Sequence, residues 1–189
     1  MAQVLKDDIR ERIFEAALDE FYEKDFMTAT MRDIAVRAGI PTGLIYSYYK
    51  NKRALFDEIV RPVILNLPET LREAEASPNT GLANYFNIEK KLYKRFFEKR
   101  REFILLVDKS AGTHHHDTKE KLIVTIEEHV KNSLKKRSKQ KYDDLFPHIL
   151  ASNYVESLLE IMRHFKSREW AEEMLDLVAK QFFMGSDSL

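Results

Sequence analysis

Three consecutive histidines, His114, His115 and His116, followed at once by Asp117, are the residues of this chain best suited to metal chemistry. Imidazole and carboxylate bind zinc and its neighbours, and a bound ion could activate water for hydrolysis. Consecutive histidines splay in different directions, however, and zinc sites draw spaced ligands from more than one element. The run therefore reads as a solvated loop, with no metal and no cofactor assigned. A metal-dependent hydrolase using His114 to Asp117 is the remote alternative. No nucleophile–base arrangement and no phosphate loop accompany it, so the chain does not read as an enzyme. The absence of cysteine removes disulfides, thiolate metal sites and Cys nucleophiles together and fits a reducing compartment.

The second group with chemical potential is basic and aromatic. From Thr30 to Leu55 the charged residues are Arg32, Arg37, Lys50, Lys52 and Arg53, against the single acid Asp33, and Tyr46, Tyr48 and Tyr49 lie among them. The whole chain is neutral, with 31 basic and 31 acidic residues, which speaks mildly against nucleic acid. Phosphate attraction depends on local potential within a Debye length of about 8–10 Å, so a small basic face suffices for salt-sensitive binding. The 131–141 run of lysines and arginine reads as a solvated helix end and linker. No apolar run approaches the ~18 residues a membrane helix needs, and Met1 to Arg10 is too charged for a signal peptide. The expectation is a cytoplasmic protein with no membrane partner.

The elements that must position these residues are helical. Ile9, Ile13, Ala16, Ala17 and Phe21 recur at helical spacing and predict an amphipathic helix over 6–23. Asp25 stands where a left-handed residue is often needed. Thr30 suits an N-cap, and Gly39 ends the helix that follows. Pro41 near N1 opens a short helix to Tyr49, and Asn51 caps another from Lys52. Pro62 predicts a kink or an end to that helix, and Leu67-Pro68 and Ser77-Pro78-Asn79 read as breaks. An aromatic helix from Leu82 to about Lys99, a buried stretch Phe103 to Val107 and three further helices complete an all-α chain of about nine helices. Its N-terminal part is a helix-turn-helix.

Residues from about Ile9 to Phe56 resemble the DNA-binding domain of the tetracycline-repressor family of bacterial regulators. The resemblance is carried by Ile13-Phe14-Glu15-Ala16-Ala17, Phe21, Phe26, the helix Thr30-Met31-Arg32-Asp33-Ile34-Ala35, Ala38-Gly39-Ile40, and Leu44-Ile45-Tyr46-Ser47-Tyr48-Tyr49-Lys50-Asn51-Lys52 with Leu55. Two positions depart from the family pattern, which often has Gly where Asp25 stands and Ser where Pro41 stands. The second leaves Thr42 or a phosphate to serve that helix end. The resemblance implies that Thr42, Gly43, Leu44, Ser47 and Tyr48 face the major groove, and that Tyr46, Lys52, Thr30 and Arg32 reach phosphates. Gly43 would let the backbone approach closely, and Leu44 would touch a thymine methyl. No Arg, Gln or Asn lies on that helix, so shape and phosphate contacts should matter more than bidentate base readout. Plain core packing is the alternative for the tyrosines: Tyr49 reads as core, and Tyr48 as core or groove. Arg37 reads as solvated, and Lys50 and Arg53 as bystanders.

The domain division expected is 1–52 for the helix-turn-helix, a connector helix over 52–66, and 67–189 for a helical domain that binds an effector and dimerises. Independently, two C-terminal helices are apolar on more than one side and must bury the second side against something. Tyr154, Leu158, Met162, Phe165, Met174, Val178 and Phe182 are the candidate dimer residues. Phe86, Tyr93, Phe97 and Tyr154 are candidates to line a small-molecule site, with core packing the alternative for each. The reading is a homodimeric, ligand-responsive repressor on a pseudo-palindromic double-stranded DNA operator. The alternative is a DNA-binding protein of the same fold controlled by a protein partner, without an effector.

Overall fold

The computed structural model describes residues 2–75, 97–137 and 141–187. Eight helices and no strand are found among them. They are α1 (Ala2–Glu23), α2 (Met31–Arg37), α3 (Thr42–Tyr48), α4 (Lys52–Glu75), α5 (Arg100–Asp108), α6 (Thr118–Arg137), α7 (Leu145–Arg163) and α8 (Arg168–Asp187). No described helix is long and apolar enough to cross a membrane. The loop expected over 78–81 and, up to residue 96, the aromatic helix expected over 82–99 lie outside the described residues.

The chain divides into two units, one of residues 1–66 and 99–116, the other of residues 67–98 and 117–189. Helix α5 and the loop to His116 thus pack with the helix-turn-helix, whereas the sequence reading put them in the C-terminal domain. The reason is burial: Phe103, Ile104, Leu105, Leu106 and Val107 are all buried, and α5 packs on α1. No helical periodicity could have named that partner.

In the first unit, α1 buries Ile13, Ala17 and Phe21 completely, α2 buries Ile34 and Ala35, and α4 buries Leu55, Phe56, Ile59 and Val60. The aromatic centre is Phe21, Phe26 and Phe56. Phe56 meets both others edge-on at centroid distances of 5.2 Å.

Local chemistry sets the helix ends. Asp25 takes φ +124°, and its carboxylate accepts from the Thr28 backbone N–H and hydroxyl, both at 2.8 Å. Those bonds, the backbone one foremost, hold its carboxyl below the usual range. Thr30 caps α2 by accepting from the Asp33 N–H at 3.1 Å. Gly39 (φ +65°) turns the chain out of α2. Pro41 is the N-cap of α3, one position earlier than expected, and makes no side-chain cap bond. Asn51 caps α4 by accepting from the Ala54 N–H at 2.9 Å.

Helix α4 runs on through Pro62 and Pro68, where a kink or a break was expected. A proline removes one backbone N–H. At Pro62 that loss is outweighed by an apolar face on either side, since Ile59, Val60 and Val63 are buried.

In the second unit, α6 packs along α7 and α7 against α8. Ile161, Ala171 and Leu175 form a core against which Phe97, Leu158, Phe165, Trp170, Met174 and Val178 pack. Lys119 and Arg163 both pair with Glu156 at 2.5 Å and hold its carboxyl low, the Lys119 bond foremost.

Candidate nucleic-acid interface

Helix α3 is too short to stand alone, so its neighbours must hold it. Ile45 is fully buried beneath it, and Tyr49 is buried at its end. The Tyr49 hydroxyl donates to Glu58 of α4 at 3.0 Å. Arg10 of α1 donates to both oxygens of the same carboxylate at 2.9 and 3.0 Å. Burial raises the Tyr49 pKa, which keeps the phenol protonated and donating. At the other end of the turn, Arg12 donates to the carbonyls of Ala38 at 2.6 Å and Gly39 at 3.1 Å. These are the orphan carbonyls where α2 ends. Neither Arg10 nor Arg12 was singled out from sequence. Both lie far from their partners along the chain, and an arginine on an exposed helix face carries no signal of its target.

The opposite side of α3 is open. Thr42, Gly43, Tyr46 and Ser47 are exposed, Leu44 and Tyr48 half-buried. A Cβ built at Gly43 would meet nothing within 4 Å. Ser47 donates its hydroxyl back to the Leu44 carbonyl at 2.6 Å, leaving its oxygen as an acceptor.

The basic stretch is less free than its count suggests. Arg37 donates to Glu23 at 2.8 and 2.5 Å and lies 3.3 Å from Glu20. It therefore fastens α2 to α1 rather than standing solvated, and the Glu23 bond raises its pKa. Arg53 donates to the Gly112 carbonyl at 3.2 Å. The Lys52 ammonium donates to the carbonyls of Ala29 at 2.7 Å and Met27 at 3.3 Å and stands 4.6 Å from the Phe26 ring centroid. Burial lowers its pKa. Two of its three donors thus tie down the turn before α2. Lys52→Met should lower the unfolding free energy by about 1–3 kcal/mol, because two carbonyls lose a charged donor. Urea denaturation reads this, and an unchanged midpoint would remove the clamp. Arg32 and Lys50 remain exposed and without an ion pair among the described residues.

Of the residues expected around an effector, Phe86 and Tyr93 lie outside the described residues. Phe97 packs on Phe165 at 5.7 Å, and Tyr154 is buried 4.6 Å from Phe182. Tyr154 and Met162 belong to the unit's own core, which removes both from a protomer surface. Leu158, Phe165, Met174 and Val178 are partly buried around Ile161. Among the described residues, the large apolar side chains left exposed on α7 and α8 are instead Leu145, Ile149 and Leu177.

The family model described as "Bacterial regulatory proteins, tetR family" matches residues 13–59. The HTH-type transcriptional regulator YhgD of Bacillus subtilis (strain 168) is 31% identical over 86 residues, covering 46% of this chain and 44% of that protein. The HTH-type transcriptional repressor KstR2 of Rhodococcus jostii (strain RHA1) is 35% identical over 72 residues, covering 38% of this chain and 35% of that protein. The chain thus spans less than half the length of these curated relatives. A solved TetR-family transcriptional regulator from Bordetella parapertussis 12822 superposes with a TM-score of 0.71 at 16% identity, covering 96% of this chain and 97% of that one. That likeness extends the fold, though not the chemistry, to the C-terminal unit.

Proposed function

By its residues 13–59 this chain belongs to the tetR family of bacterial regulatory proteins, and on that footing we propose that it is a repressor that binds a pseudo-palindromic operator as a homodimer. The observation that carries the reading surface is the two-sidedness of α3. Ile45 and Tyr49 are buried beneath it, while Thr42, Gly43, Tyr46 and Ser47 point outward with open space over Gly43. Thr42, Gly43, Leu44, Ser47 and Tyr48 face the groove. Tyr46, Thr30 and Arg32 reach phosphates, and Lys50 joins them as an exposed cation. Lys52 acts mainly by holding the turn that presents Thr30, with one donor left for the backbone of the DNA. Dimerisation is supported by Leu145, Ile149 and Leu177, exposed on two helices that already bury another apolar side, and by the two-fold symmetry that two half-sites demand. A small-molecule effector acting in the C-terminal unit would release the operator by binding one arrangement of the dimer better than the other.

The test is fluorescence anisotropy on duplexes selected from a random pool. Arg32→Ala should weaken all duplexes alike and flatten the salt dependence. Each phosphate contact contributes a slope of about 0.9, so two copies per dimer should remove roughly 1.8 from the log–log slope. A variant with the parent's slope places Arg32 away from the DNA. If no duplex is enriched from the pool, the DNA reading itself fails.

A further inference from the structure

We propose that Asp57, His114 and His115 form a binding site for a divalent first-row transition ion, with Zn²⁺ as the type case. The three side chains offer ligand atoms within 4.8 Å of one another. Asp57 Oδ1 lies 3.2 Å from His115 Nε2 and 4.0 Å from His114 Nδ1. Adjacent ligands around a tetrahedral ion with bonds of about 2.0–2.2 Å are separated by roughly 3.3–3.6 Å, so the Asp57–His115 pair already stands near that spacing and the exposed His114 ring must move in by up to about an ångström. The histidines do not splay apart as expected for consecutive residues. Their ring centroids are 3.8 Å apart and tilted by 45°, while His116 alone turns away, its Nδ1 3.0 Å from the Thr113 carbonyl.

The site is built rather than accidental in three respects. Its ligands come from two elements, Asp57 from α4 and the histidines from the loop after α5. The loop is shaped by its own bonds. Thr113 accepts from the His115 N–H at 3.0 Å, Ser110 donates to the His115 carbonyl at 3.1 Å, and Gly112 takes φ +82°. His115 is also the less exposed of the pair, its side chain 13% accessible against 60% for His114, so one ligand is held while the other faces solvent. Without an ion, His115 must carry its proton on Nε2 to donate to Asp57. The ion takes that proton's place and selects the Nδ1–H tautomer. Two imidazoles and a carboxylate leave a fourth position for water or an outside ligand. The donor set suits Zn²⁺, Ni²⁺ or Co²⁺ and excludes the soft-ligand chemistry of Cu⁺. An ion here would pin the 113–116 loop to α4 inside the unit that carries α3.

The metal titration reads the site whether or not the chain binds DNA. Calorimetry of the metal-stripped full chain with zinc chloride should show one tight ion per chain. Asp57→Asn, close in shape to the parent, and His114→Ala, at an exposed position, should each weaken binding at least tenfold. His148→Ala with His164→Ala, which removes the two surface pairs with Glu127 and Glu160, should leave it unchanged. Zinc should also raise the Tm of the parent and not that of Asp57→Asn. A parent that binds no ion tighter than about 100 µM overturns the proposal by itself, since each variant is only compared with it. So does tight binding that survives Asp57→Asn and His114→Ala together, or that disappears with His148 and His164.

Discussion

Phe56→Ala should be the most damaging single substitution in the DNA-binding unit, costing about 3–5 kcal/mol of unfolding free energy. Phe56 is fully buried and is the ring that joins two others, meeting Phe21 and Phe26 edge-on at 5.2 Å each. Truncation loses the ring's transfer free energy and leaves a cavity that three separate segments would have to close. The segments are α1, the turn after it and α4. The turn cannot simply move in, because the Phe26 N–H is bonded to the Lys109 carbonyl at 3.1 Å and the Lys52 ammonium holds Ala29 at 2.7 Å. Against a whole-domain stability of about 5–15 kcal/mol, the loss is a large fraction. With a urea m-value of about 2 kcal/mol/M, the midpoint should fall by roughly 2 M, and operator binding should weaken with the folded fraction. Val36→Ala, at an exposed α2 position, should stay within about 0.5 kcal/mol of the parent. Equal midpoints for the two variants would mean that the aromatic centre is not what holds the unit together.

The same residues show where sequence reasoning reaches and where it stops. Thr30, Gly39 and Asn51 were legible as caps because a cap is local: donor, acceptor and turn lie within about four residues. Tyr49 reads as core from the sequence and is buried, whereas Ile45, fully buried, stood there only as part of the family outline. Arg12, Arg10 and the docking of 99–116 were not, because each depends on a partner decided by tertiary packing. Counting charges overstated the free positive face, since Arg37, Lys52 and Arg53 have their donors engaged by protein oxygens. Local rules also misled at two places. Pro62 interrupts one hydrogen bond without ending α4, and the splay of adjacent histidines is undone at His114 and His115 by a loop whose turn at Gly112 no spacing argument describes.

Gly43→Ala should separate folding from DNA reading by moving them in opposite directions. In the free chain the added methyl meets nothing within 4 Å, and no left-handed backbone is required at this position. Replacing glycine by alanine within α3 improves helix propensity by up to about 1 kcal/mol and restricts the unfolded chain. Thermal stability should therefore hold or rise. On the operator the same methyl points into the space through which the N-terminal turn of α3 would approach the DNA. Forcing a methyl into a packed interface costs about 1–3 kcal/mol. A dimer carries two copies, so the affinity should fall by roughly 30-fold or more. Anisotropy and a thermal melt on the same preparation read both effects. A destabilised variant would mean that Gly43 serves the fold rather than the approach. A stable variant with the parent's affinity would mean that the open face of α3 is not the surface that meets DNA, whatever the family outline of the chain around it.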